Sequence, residues 1–164
     1  MKKTLLSMMT MAILASGSAY AAENIDIDVT AEIPNKLAIT KNDDTELKDI
    51  KLTATPGSPG EYRYVQPIKI TGNNSANKNF GISITKPLSL VHNVDSAVTF
   101  DIHTVSLGSY NLQTTTNLVN TVHYLKDPTT HTVELDLVIV AREPKAQNPG
   151  TYSGTLSLQI EETA

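Results

Sequence analysis

The chain has no cysteine and no tryptophan, and its only phenylalanines are Phe80 and Phe100. Each absence excludes something. Without cysteine there is no disulfide framework, no thiolate nucleophile and no thiolate metal site. With so few large aromatic rings, a core has to be assembled from Ile, Leu, Val and Tyr. Strong helical periodicity is absent beyond the first residues. Basic charge is in short supply too, with 13 Lys and Arg against 17 Asp and Glu. An acidic chain is a poor match for nucleic acid or for an anionic membrane surface, and neither is expected as a partner.

Catalytic templates are missing as well. The histidines, His92, His103, His123 and His131, form no His-Glu-x-x-His pair. His123 and His131 flank a turn and read as solvated side chains rather than metal ligands. Gly150-Thr151-Tyr152-Ser153-Gly154 has a glycine directly after its serine, where a nucleophile elbow needs one two residues on. Asp26, Asp28, Asp43 and Asp44 lack the loop glycine and the ligand count of a calcium frame. We therefore expect no enzyme, no metal and no cofactor.

What the chain does have begins with an export signal. Lys2 and Lys3 precede an apolar run over 4–15, and small residues lead to Ala19-Tyr20-Ala21. This has the form of a secretory signal with an A-x-A site, and the run is too short to span a membrane. A cut after Ala21 places small residues at both recognition positions, whereas a cut after Ala22 puts Tyr20 at one of them. Removing residues 1–21 leaves 143 residues, suited to one domain. It also leaves 11 basic side chains against 17 acidic ones, a net charge of −6.

Directly behind the signal, Ile25, Ile27, Val29, Ala31 and Ile33 alternate with Asp26, Asp28, Thr30 and Glu32, and Pro34 follows. A period of two without a lapse predicts a strand with one buried face. At a mature N-terminus such a strand is free to pair with its own domain or with a neighbour's.

The rest of the chain reads as short strands separated by turn residues. Strands are expected around Leu37 and Ile39, and from Leu47 to Leu52 with a slip in alternation. Another is expected from Tyr62 to Ile70, with Pro67 marking an edge or irregularity, and another from Phe80 to Ile84. Val98, Phe100, Ile102 and Thr104 alternate, and Leu118 to Leu125 fits either a short helix or a strand. The nearly continuous apolar run from Val133 to Val140 suits a central strand. Tyr152, Gly154, Leu156, Leu158 and Ile160 are expected to form one last strand. Many short strands with regular turns and no linker predict a single all-β sandwich.

Two terminal motifs together resemble a known family. Glu23-Asn24-Ile25 with the alternation that follows, Thr30-Ala31 and Pro34, is similar to the N-terminus of the alpha-class chaperone–usher pilins, the major subunits of colonisation-factor-antigen fimbriae. Gly150-x-Tyr152-Ser153-Gly154-x-x-Ser157-Leu158 resembles the final strand of that family. The resemblance implies an immunoglobulin-like sandwich that lacks its last strand and is completed by donor-strand exchange. It divides the chain into a signal (1–21), a donor strand (22–34) and a pilin domain (35–164).

The resemblance also implies partners: a homopolymer of this chain, a periplasmic chaperone that fills the groove first, an outer-membrane usher, a tip adhesin and a host receptor. The product would be a fimbrium exported through the periplasm to the cell surface and used in adhesion to host cells. Ile25, Ile27, Val29, Ala31 and Ile33 would enter the neighbour's groove. The four larger ones contribute about 6–12 kcal/mol gross if fully buried, and ordering the strand offsets part of that. Tyr152, Leu156, Leu158 and Ile160 would line the groove, and Ala164 would offer its carboxylate to the chaperone. Two other readings stay open. One is a minor or initiating pilin of the same system. The other is a self-complete exported module, for example for carbohydrate, whose N-terminal run is simply its own first strand.

Overall fold

The alternation from Tyr62 to Ile70 and from Phe80 to Ile84 becomes strand. In the computed structural model, residues 30–34, 36–115, 117–119, 121–145 and 148–164 are described. The chain divides between Ile33 and Pro34, and Pro34–Ala164 forms one compact unit. The signal and most of the first alternating run, including Ile25, Ile27 and Val29, lie outside the described residues.

The compact unit is built from strands alone among the described residues. They are β1 (Leu37–Lys41), β2 (Thr53–Ala54), β3 (Glu61–Gly72), β4 (Asn79–Lys86), β5 (Leu90–His92), β6 (Thr99–Leu107), β7 (Tyr110–Thr114), β8 (Val122–Leu125), β9 (Thr132–Arg142), β10 (Tyr152–Ser153) and β11 (Ser157–Thr163). One sheet runs β1-β3-β9-β6-β5-β10, with β2 on β3 and β7 on β6; the other runs β11-β4-β8. All the pairings are antiparallel. Inward-facing residues of both sheets meet in one core, with Ile68, Phe80, Ile82, Val105, Leu107 and Leu137 fully buried. This is the sandwich the turn spacing predicted.

Several expectations hold in detail. β9 takes the central place expected of it, between β3 and β6, with Leu137, Ile139 and Ala141 buried on one face and Val138 and Val140 half-buried on the other. Pro67 falls in the stretch of β3 between the part paired with β2 and the part paired with β1, where its missing N–H disturbs neither ladder. Asp43 closes the first turn by accepting from the Thr45 backbone N–H (3.1 Å) and hydroxyl (2.6 Å). Of the segment left ambiguous between helix and strand, Val122–Leu125 is β8, with Val122 and Tyr124 buried, and Leu118 makes only an isolated bridge with Gln113.

Other expectations are corrected. Leu47 to Leu52 is not a strand. It is an irregular stretch that turns at Asp49 (φ 54°) and presses Leu47, Ile50 and Leu52 against the core. In β6 the phase set by Phe100 and Ile102 does not continue to Thr104. His103 bulges out of the pairing with β9, and Val105 and Leu107 take the inward positions instead. The chain from Tyr152 to Ile160 is two strands in two sheets. β10 pairs with β5 and β11 pairs with β4, so the chain crosses from one sheet to the other between Gly154 and Leu156. Gly154 permits the crossing: a Cβ there would sit 1.9 Å from the Ser89 carbonyl oxygen.

One buried polar residue joins the layers. Gln113 of β7 accepts from the Leu88 backbone N–H (2.7 Å) and donates to the Leu88 carbonyl (3.1 Å), satisfying the turn that leaves β4.

Candidate functional site

The expected groove has to be found along the edge of a sheet, and β11 is such an edge. It pairs with β4 on one side, and no strand pairs with its other side among the described residues. β1 comes near β11 without a hydrogen-bonded ladder between them. A strand with an unpaired side presents a row of backbone donors and acceptors that can accept another strand.

Leu158 and Ile160 alternate inward on β11, and both are only half-buried although they pack against the core. Ile39 of β1 and the irregular Leu47, Ile50 and Leu52 are half-buried in the same way. Near the start of β11, a cavity of about 370 Å³ opens between Leu47, Ile50, Leu52, Leu88 and Leu156. The sandwich thus keeps incompletely covered apolar side chains next to an unpaired strand.

The far end of β11 is closed by charge. Glu162 takes the next inward position after Ile160, and its carboxylate lies 2.8 Å from Lys126 Nζ. The side chains are 7% and 3% exposed. Lys126 also donates to the Asn74 carbonyl (2.8 Å) and stands 5.4 Å above the Phe80 ring. Gly72 makes room for the pair, because a Cβ there would lie 2.0 Å from Glu162 Oε1. Asn77 Nδ2 donates to the Glu162 carbonyl (3.0 Å), and the Lys78 N–H to that of Thr163 (3.1 Å). The exposed Ala164 carbonyl accepts from Asn79 Nδ2 (3.1 Å).

Of the residues expected to line the groove, Leu156, Leu158 and Ile160 come together along β11 and its approach. Tyr152 stands apart on β10, edge-on to Phe100 (4.7 Å between centroids) and His92 (4.9 Å), with its hydroxyl donating to the Asn148 carbonyl (2.9 Å). Of the expected donor residues, Ala31 and Ile33 are exposed and outside any strand, Ile33 at 83%. Ile25, Ile27 and Val29 lie outside the described residues.

Sequence reasoning missed the Lys126–Glu162 pair. Glu162 keeps the inward phase of Leu158 and Ile160, which was the available signal. Nothing local in the sequence marked Lys126 as its partner. It also missed Asn73, which holds the chain at the start of the compact unit. Asn73 Nδ2 donates to the Pro34 carbonyl (2.9 Å), its Oδ1 accepts from the Lys36 N–H (2.7 Å), and its own N–H donates to the Lys36 carbonyl (3.2 Å).

Two tyrosines and two aspartates titrate away from their ordinary ranges; the Thr45 hydroxyl and backbone N–H hold one of the aspartates, Asp43, below the usual carboxylate range. Burial pushes the Tyr124 hydroxyl up to about 12, with Tyr110 adding to the shift, and this hydroxyl donates to the Leu107 carbonyl. Burial also raises Tyr64. The Thr130 and Thr129 backbone N–H groups hold Asp127 below the usual carboxylate range. The tyrosines are packed in the fold, and the aspartates accept hydrogen bonds within turns.

The sequence matches the family of CS1 type fimbrial major subunits over residues 23–161. Among solved structures, the CooA pilin subunit from enterotoxigenic Escherichia coli has a similar fold, with a TM-score of 0.56 at 12% identity, covering 76% of this chain and 86% of that one. No curated protein matches the chain by sequence.

Proposed function

The chain belongs to the CS1 type fimbrial major subunit family, and from that premise we propose that its subunits join head to tail by donor-strand exchange. It is a structural subunit that self-associates into a fimbrium at the cell surface, a role consistent with adhesion. The finer reading concerns how the subunits join. Residues 22–34 of one subunit leave their own domain, and Ile25, Ile27, Val29, Ala31 and Ile33 enter the groove of the next. There they pair with the open side of β11 and cover Leu156, Leu158 and Ile160. This is strand addition to a sheet edge, in which backbone hydrogen bonds supply affinity and alternate side chains supply specificity.

The observation that carries this reading is the side of β11 left unpaired among the described residues, with Leu158 and Ile160 only half covered beneath it. A strand left so would invite indiscriminate pairing. A periplasmic chaperone therefore covers the groove first, with the carboxylate at Ala164 as an anchor point. An outer-membrane usher then exchanges that cover for the next subunit's strand, and a tip adhesin heads the fibre. Residues 1–21 direct the chain into the periplasm and are removed there. A family of major subunits favours the shaft over a minor or initiating position.

Deleting residues 22–33 behind an intact signal tests the reading. A subunit that accumulates with its chaperone and does not polymerise is the expected result. Normal fimbriae from that deletion would overturn it.

A further inference from the structure

We propose that the loop 73–78 is a mechanical tie, carrying tension directly from the groove strand β11 to the place where the subunit's own donor segment leaves the domain. This rests on the donor-strand reading above. In a head-to-tail polymer of that kind each subunit has two joints. One is β11, held by a neighbour's strand, and the other is residue 34, where its own strand departs. Any pull along the fibre has to cross the domain between them.

The loop touches both joints. At one end Asn73 grips Pro34 and Lys36 through both ends of its side-chain amide and through its backbone N–H. At the other end the loop holds β11. The Asn74 carbonyl accepts from Lys126, which is paired with Glu162, while Asn77 and Lys78 donate to the Glu162 and Thr163 carbonyls. Asn73 and Asn74 are neighbours, so one peptide unit separates the two grips. Without this route the pull would pass from residue 36 into β1 and across its ladder with β3. Strands loaded from one end can separate one pair at a time. The tie spares that ladder.

Asn73 is exposed, so its side chain can be changed without opening the core. The test uses intact fimbriae carrying Asn73→Ala or Asn73→Asp. The aspartate keeps the acceptor for the Lys36 N–H and loses the donor to Pro34. Polymers that stay intact in unheated detergent report donor-strand exchange itself and are expected in both variants. Their absence from both would overturn the proposal, because it assigns Asn73 no part in joining subunits; the deletion of residues 22–33 reads the joining separately. Single-fimbria stretching reads the tie. At fixed force, Asn73→Ala should raise the rate of subunit opening about 5-fold, and Asn73→Asp, which sets a carboxylate oxygen against the Pro34 carbonyl, should raise it as well. Opening rates equal to the parent in both variants overturn the tie and leave donor-strand exchange standing.

Discussion

Lys126 and Glu162 form a buried ion pair between the residue after β8 and the inward face of β11, the two edges of the three-stranded sheet. Phe80 of the central strand, β4, lies beside the ammonium. A buried pair of this kind costs much to desolvate, and breaking it by removing one partner leaves an uncompensated charge. Lys126→Met should therefore destabilise the subunit by about 3–5 kcal/mol. Adding Glu162→Leu to that variant should recover most of the loss, since two apolar side chains replace two satisfied charges. Guanidinium unfolding of fimbriae, followed by loss of the β-sheet circular dichroism signal, measures both. A double variant no better than the single one would mean that the pair does not act as a unit.

The sheet crossing at Gly154 predicts a sharp difference between two glycines. A Cβ at Gly154 would meet the Ser89 carbonyl at 1.9 Å, and backbone atoms cannot swing aside as a flexible side chain can. Gly57 has φ +80°, but nothing lies within 4 Å of its added Cβ. Gly57→Ala should cost only the left-handed backbone penalty, about 1 kcal/mol. Gly154→Ala should separate β10 from β5 or displace β11, and the yield of assembled fimbriae should collapse. Comparing surface fimbriae from the two strains, with subunit synthesis matched, checks the contrast.

Much of this architecture was legible before any coordinates. Phe80, Ile82 and Ile84 alternate without interruption, and β4 is where they place it. The errors fall where local periodicity and three-dimensional pairing part company. His103 adds one residue to β6 and reverses the phase after it, a feature visible only from the partner strand. Leu47, Ile50 and Leu52 are apolar because they cover the core, but their backbone does so without a ladder. Tyr152 and Leu158 looked like one strand because alternation does not record which sheet a residue joins. The site was partly legible for the same reason. Leu156, Leu158 and Ile160 declare an inward face, whereas Lys126 and Asn73 act through contacts with residues 36 and 37 positions away in the chain.

Alkaline stability should depend on Tyr124. Its hydroxyl is buried, donates to the Leu107 carbonyl, and titrates at about 12 in the fold against 10.0 when free. The folded state therefore holds this proton more tightly than the unfolded state does. The associated stability is fully present below pH 10 and is lost as pH rises towards 12, up to about 3 kcal/mol. Tyr124→Phe should lower stability at neutral pH by the lost hydrogen bond and leave the Leu107 carbonyl without this donor, at about 1–2 kcal/mol. The variant should then show a smaller further loss between pH 10 and 12 than the parent. Denaturant midpoints measured across that range for both proteins decide it.

The absence of cysteine makes the proposed joint directly testable. Two engineered cysteines would be the only thiols in the chain, and a disulfide forms only where Cβ atoms come within about 3.5–4.5 Å. Leu158→Cys fixes one partner on the inward face of β11. The other is moved along the donor run through Ile25, Asp26, Ile27, Asp28 and Val29. If the run lies beside β11 with its apolar face inward, an odd-numbered position should bond to residue 158 while Asp26→Cys and Asp28→Cys do not, because neighbours along a strand face opposite ways. The position that bonds gives the register. The product also reports whose strand is in the groove. Exchange between subunits yields a ladder that survives boiling in detergent and collapses with reductant. A self-complete domain, folding its own first strand against β11, yields an internally bonded monomer and no ladder. Bonding from odd and even positions alike would mean that residues 25–29 have no fixed face towards β11.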